Sequence, residues 1–181
     1  PPIEPPPVCN GTRILHCRTR TRQLPTGWPE SWVRPATTDS RVHLHTSVEY
    51  PFMLRGLADA ASVRTVLDAG ANGGYSASIF ARLLPAVSRV VALEPHPENF
   101  AMLVVNTRNL PVVLPIQAAL FGADGQMTVE DGPRQRSARN RQWSYVTRPE
   151  ASTRNEAAQD WPRSLSVAGL TGETLRRRLC L

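Results

Sequence analysis

The hydrophobic and polar positions hold one period only over short stretches, and the changes of period mark the elements. Phe52, Met53, Leu54, Leu57, Ala58 and Ala61 recur at helical spacing and predict a short amphipathic helix over residues 48–61. Val63, Val66 and Leu67 then form a short apolar run ending at Asp68. The glycine-rich Ala69-Gly70-Ala71-Asn72-Gly73-Gly74 follows, and after it residues 75–84 place Ile79, Phe80, Leu83 and Leu84 at helical spacing. This is the pattern of strand, tight turn and helix. Pro85 and Ser88 end the helix, and Val90, Val91, Ala92 and Leu93 make a second buried-type strand that stops at Glu94. Pro95 and Pro97 restart the chain. Residues 100–105 predict a second helix, with Glu98 in its first turn near the positive end of the dipole.

Residues 112–120 predict a third strand, and Pro115 inside it has no N–H for a ladder, which assigns the strand to a sheet edge. Asp124-Gly125 is a two-residue hairpin signal, so residues 126–130 are expected to pair back as a further strand. Beyond Asp131 the periodicity fades into a polar, Arg-rich stretch, and the last predicted element is a short helix over residues 172–179. Residues 1–40 hold eight of the 17 prolines, a composition that gives extended or irregular backbone. The chain therefore divides into a Pro/Arg-rich arm or linker at 1–47, a folded unit at 48–130, and an Arg-rich irregular tail with a short C-terminal helix at 131–181.

Composition narrows the chemistry. The 181 residues, 41% hydrophobic and 20% charged, suffice for one domain with an apolar core. All 21 basic residues are Arg, so lysine-dependent chemistry is excluded: Schiff bases, pyridoxal phosphate, and phosphate-binding loops that end in Lys. The net charge of +6 is concentrated in the tail, at +5 over residues 131–181 against −1 over 63–130. From Arg134 to Arg178 the only aromatic residues are Trp143, Tyr145 and Trp161, and a solvated loop outweighs a nucleic-acid interface.

Three cysteines with no C-x-x-C pair indicate neither a disulfide framework nor a zinc ribbon, and a reducing compartment fits them better. Cys9, His16, Cys17, His43 and His45 match no metal-ligand spacing. Asn10-Gly11-Thr12 has the form of a glycosylation acceptor, which matters only in a secreted chain. No apolar run approaches the roughly 18 residues that span a bilayer. The first residues, Pro1-Pro2-Ile3-Glu4-Pro5-Pro6-Pro7, carry no signal-peptide pattern and read as the inside of a longer chain. Localisation is open, with the cytoplasm favoured.

Strand, helix, strand, helix, strand is the first half of a doubly wound α/β sheet, in which ligands bind at the carboxyl ends of the strands. Both chemistry-bearing clusters fall there. Asp68 opens a loop whose glycines let the backbone approach a ligand closely. Glu94, 26 residues later, ends the next strand where a carboxylate can accept both hydroxyls of a ribose diol. A nicotinamide or flavin fingerprint requires glycine at positions 72 and 75, where this chain has Asn72 and Tyr75. A ligand with ribose and adenine but no pyrophosphate fits the spacing better, and S-adenosyl-L-methionine is such a ligand.

The run VLDAGANGGYSASIFARLLPAVSRVVALEPHPENFAMLVVNTRN, with QAALFGADGQMTV after it, resembles the cofactor half of the FkbM-type S-adenosylmethionine-dependent methyltransferases over about residues 63–130. The resemblance implies a Rossmann-like doubly wound sheet, incomplete here at three strands plus a hairpin. It implies that Asp68, Gly70, Asn72, Gly73 and Tyr75 belong to the loop holding the methionine part, that Glu94 with Pro95 binds the ribose, and that Gln117 and Ala118 lie near the adenine. Each has a plainer alternative: Asp68 tying the loop's amides, Glu94 an idle surface acid, Gln117 an ordinary edge residue.

The reaction implied is methyl transfer to a hydroxyl of a small molecule or sugar. No general base is identified; His96 reads as a rim residue, and His43 and His45 lie outside the resemblance. The family's later acidic motif, of the form I-D-x-E-G-x-E, has no counterpart, so a truncated chain is expected. Its strand at 63–67 would keep an open edge, and the isolated chain would be oligomeric or poorly soluble. Three alternatives stand beside this reading: a non-catalytic cofactor-binding remnant, an Arg-rich nucleic-acid-binding module and, on the glycine spacing weakest, a nicotinamide-dependent reductase.

Overall fold

A computed structural model describes residues 17–18, 31–34, 37–131, 145–149 and 165–179. In chain order the elements are β1 (Cys17–Arg18), β2 (Trp32–Val33), α1 (Asp39–Arg55), a 3-10 turn (Ala60–Ser62), β3 (Thr65–Ala69), α2 (Tyr75–Leu83), β4 (Arg89–Leu93), α3 (Pro97–Thr107), β5 (Val113–Ile116), β6 (Ala118–Leu120), β7 (Gly125–Asp131), β8 (Tyr145–Pro149), β9 (Leu165–Leu170) and α4 (Gly172–Leu179). The fold is α/β.

The strands β3, β4 and β5 make a parallel sheet in that order, with Leu67 beside Val91 and Val91 beside Leu114. β4 lies in the middle and is covered on both faces, so Val90, Val91, Ala92 and Leu93 are all fully buried, as a continuous apolar run at the centre of a parallel sheet requires. On one face, Val90 and Ala92 meet Ala71, Ala77 and Leu103, with Phe80 and Phe100 packed around them. On the other face, Val91 and Leu93 meet Ala118, Leu170 and Leu175. β5 is the edge strand that Pro115 predicted. Val112 and Ile116 turn their carbonyls to the amides of Val90 and Glu94, so by alternation the missing N–H of Pro115 faces away from the sheet.

Three expectations are corrected. The helix expected over 48–61 is α1, which begins nine residues earlier at Asp39 and ends at Arg55. Its buried face is Asp39, His43, Thr46, Ser47 and Leu54, while Phe52 is 80% exposed. The predicted period joined α1 to the 3-10 turn beyond Gly56, and the polar residues of its buried face carried no hydrophobic signal. The strand expected over 112–120 is two strands in different sheets, β5 and β6, divided at Gln117.

The hairpin expected at Asp124-Gly125 does not pair β7 with β6. β9 lies between them, parallel to β6 and antiparallel to β7, in a sheet ordered β6-β9-β7-β8. Gly169 makes this possible, because a Cβ there would sit 2.5 Å from Met127 Cγ. Asp124 serves α4 instead, its carboxylate accepting the Thr171 N–H at 2.7 Å and the Thr174 hydroxyl. Thr171 in turn accepts the Thr174 N–H through Oγ1, the N-cap bond of α4. The tail thus contributes β8 and β9 as well as the helix expected over 172–179. The Pro-rich run at 1–7, the Asn10-Gly11-Thr12 triplet and the Arg134 to Arg141 stretch lie outside the described residues. No helix among the described residues is long and apolar enough to cross a membrane.

Leu103 is fully buried between α3 and the sheet. Leu103→Ala is expected to lower unfolding free energy by about 2–5 kcal/mol, read from chemical denaturation.

Candidate functional site

At the carboxyl ends of β3 and β4 the chain makes a tight turn. The amides of Gly70 and Ala71 both reach the Leu93 carbonyl at 2.9 Å, which hooks the loop onto the next strand. Gly70, Asn72 and Gly74 all take positive φ, at 82°, 49° and 82°. Asn is among the few side-chain-bearing residues that tolerate this, and Asn72 Oδ1 accepts the Gly73 N–H at 2.6 Å. The two positive-φ glycines differ in their surroundings. A Cβ on Gly74 would press on Leu103 and Thr107, whereas one on Gly70 would meet nothing within 4 Å. Gly74 therefore lets α2 approach α3, and Gly70 borders open space where a ligand can approach.

Glu94 follows β4 directly and is fully buried. Its Oε2 accepts the Asn72 N–H and its Oε1 the His96 N–H, each at 2.9 Å, with Asn99 Nδ2 at 3.5 Å. The acid thus ties the loop after β3 to the start of α3. Asp68 accepts the Ser76 hydroxyl at 2.7 Å and the Ala77 N–H. Burial pushes its pKa up, and these two hydrogen bonds oppose the shift. Asp68 to Tyr75, Glu94 and Pro95 are therefore gathered at one end of the sheet. Gln117 is exposed just past Ile116, whose carbonyl takes the Glu94 N–H, and Ala118 turns into the apolar cluster of Val91 and Leu93.

A second layer comes from residues that the sequence had assigned to an irregular arm. Trp32 exchanges hydrogen bonds with Asn106 at 2.7 and 3.1 Å, and Asn106 also donates to the Gly73 carbonyl at 2.7 Å. Tyr75, 2% exposed, donates its hydroxyl to the Trp32 carbonyl at 3.0 Å. Arg34 pairs with Asp39 through Nε and Nη2 at 2.8 Å each, and Nη2 also donates to Asn99 Oδ1 at 2.7 Å. Burial works against the Arg34 charge, but the Asp39 carboxylate outweighs it and raises the pKa. β2 is in this way strapped across α3 and the glycine loop.

His43 lies one turn beyond Asp39, its ring 5.2 Å from that of Tyr75 in an edge-on arrangement. Burial lowers its pKa, so the imidazole is held neutral. Nδ1 of His43 and the hydroxyls of Thr38 and Ser47 are buried with no hydrogen-bond partner among the described residues. Burial raises the pKa of Tyr50, and the charges of Asp68 and Glu49 add to the shift; its ring packs 5.5 Å from that of Phe80 in α2. The one sequence signal for this layer was in α3, where Asn99 and Asn106 stand seven residues apart among Met102 and Leu103. Arg34, Asp39 and His43 gave none.

Among the described residues, no group of three His, Cys, Asp or Glu side chains is placed to hold a metal ion. No protein-family model matches the chain, and neither the curated proteins nor the solved structures give a match.

Arg34→Ala strands the Asp39 carboxylate, which is fully buried, and is expected to cost about 3–5 kcal/mol of stability. The lowered pKa of His43 makes its contribution complete above the ordinary value of 6.5 and lost as pH falls below it, because the unfolded chain then binds the proton first. In His43→Gln the decline of stability from pH 6.5 toward 5 is expected to be shallower than in the unaltered chain, measured by urea unfolding at each pH.

Proposed function

We propose that this chain is the cofactor-binding half of an S-adenosyl-L-methionine-dependent methyltransferase with a Rossmann-like sheet, acting on a hydroxyl group of a small molecule or sugar. The observation that carries the reading is the tie between the two motif segments, Asn72 N–H to Glu94 Oε2, across a loop with three left-handed residues. It sets an acid at the end of one strand against a glycine turn at the end of its neighbour, where doubly wound sheets bind nucleosides. The glycine spacing disfavours a pyrophosphate ligand.

The residues fit the cofactor in part. The open side of Gly70 gives room for its methionine end, and Asp68 is held there by α2. A ribose hydroxyl would join acceptors already engaged, Oε2 by the Asn72 N–H and Oε1 by the His96 N–H and Asn99 Nδ2. Since Glu94 is fully buried, that contact requires the chain around it to part. The bound cofactor supplies an electrophilic methyl group. The protein's share is alignment of the acceptor oxygen, where positioning contributes about 7–11 kcal/mol, and removal of its proton.

Calorimetric titration with S-adenosyl-L-methionine tests the reading, with Glu94→Gln compared after circular dichroism has shown the fold retained. Binding weakened tenfold or more, about 1.4 kcal/mol, is expected. A folded wild-type chain that binds nothing overturns it. The burial of Glu94 favours a second reading, a remnant in which the carboxylate is only an internal tie. That reading expects Glu94→Gln to lower the melting temperature while cofactor binding is unchanged or absent from both chains.

A further inference from the structure

The helical period over residues 48–61 rests largely on Phe52, Met53 and Leu57, and the structure turns all three outward. At about 100° per residue, Arg41, Leu44, Val48, Phe52 and Arg55 fall within an arc of about 80° around α1. The buried residues Asp39, His43, Thr46, Ser47 and Leu54 lie on the opposite side. The outer face is therefore an apolar stripe, Leu44, Val48 and Phe52 standing four residues apart, with an arginine at each end. Arg41 and Arg55 are about 21 Å apart along the helix axis.

We infer that this face of α1 docks on an anionic lipid surface, with the helix lying in the plane of the headgroups. Leu44, Val48 and Phe52 enter the boundary between headgroups and acyl chains, and Met53 and Leu57 add apolar area on the flank. The two guanidiniums reach up along the same face to lipid phosphates, for which their planar fork is suited. Binding of this kind needs both contributions, apolar area and basic charge. The helix rests on the bilayer and does not cross it, since no helix among the described residues is long and apolar enough to do so.

Charge selects the occupant. Arg41 and Arg55 are exposed and make no ion pair among the described residues. The arc they bound contains no acid. Of the acids in and beside the helix, Asp39 is buried against Arg34, Glu49 lies 2.8 Å from His45 Nε2, and Asp59 follows the helix end. A chain of net charge +6 is drawn to an anionic leaflet as a whole. Shape agrees with charge. Val48 and Phe52, 61% and 80% exposed, stand on a ridge and not in a groove. A lipid surface yields to a ridge, whereas a protein partner has to supply a matching groove.

The test is flotation of the full 181-residue chain with vesicles of phosphatidylcholine, alone or mixed with phosphatidylglycerol. Partitioning onto the mixed vesicles is expected to be at least about tenfold stronger, and to fall as sodium chloride is added. Phe52→Ser and, separately, the pair Arg41→Gln with Arg55→Gln are each expected to weaken it at least about tenfold. The circular dichroism spectrum is expected to stay unchanged in both, because all three side chains are exposed. The fluorescence of Phe52→Trp is expected to be quenched by brominated acyl chains beyond the level of the unaltered chain. No binding, equal binding to both vesicles, or binding that either set of substitutions leaves unchanged overturns the inference. A dimer seen by light scattering without lipid, and dissolved by Phe52→Ser, overturns it in favour of a second copy. None of these readouts depends on S-adenosyl-L-methionine.

Discussion

A fully buried carboxylate is tolerated only when its oxygens are hydrogen-bonded, and Glu94 accepts two backbone amides and the Asn99 side chain. The amides it accepts belong to two turns that leave two different strands, at Asn72 and at His96. Without the acid, each turn would lose one of the bonds that hold it. The left-handed backbone at Asn72 is carried by that bond, and α3 starts where His96 is held. Asn99, in the first turns of α3, then passes the arrangement to Arg34 and through it to Asp39 at the start of α1. One buried acid thus fixes the relative positions of a loop, two helices and the β2 segment.

The order of these contacts explains how the site end of the sheet is held closed. The glycine loop is hooked to β4 through backbone amides on Leu93, bonds that need no side chain. Over it lies a strap of side-chain bonds from Trp32, Arg34 and Tyr75. The strap joins buried charged and polar groups, Arg34, Asp39 and Asn99, beside the buried Val33 and Tyr75. His43, held neutral under it, is kept in the form able to accept a proton.

The sequence made the first half of the sheet legible because its signals are local. Apolar runs bounded by Pro85, Pro95 and Pro97 gave β3, α2, β4 and α3 to within a few residues, and the glycines marked the turn whose positive φ values the structure shows. What it hid was non-local. The first turns of α1 bury Asp39 and His43 because their neighbours are an arginine and a tyrosine, while Leu54 near its end meets the apolar cluster of Ile79 and Leu84. Arg34 finds Asn99 across 65 residues, a separation that no window reads. The placement of β9 between β6 and β7 depends on Gly169, which lies opposite Gly125 and leaves room for the Met127 side chain, and only the register reveals it.

That placement governs the route by which the chain folds. β6 has no partner among the residues near it in sequence; its neighbour β9 arrives some fifty positions later, with Ala118 matched to Ala168. Asp124 likewise waits for Thr171, 47 residues on. Closing loops of this length before any pairing is gained makes the second sheet the high-contact-order, slow half of the fold. As the chain emerges from a ribosome, the three parallel strands can associate early, while one face of Val91 and Leu93 stays uncovered until α4 has been made. A chaperone that captures this protein would meet that face, and would release it when Leu170 and Leu175 settle.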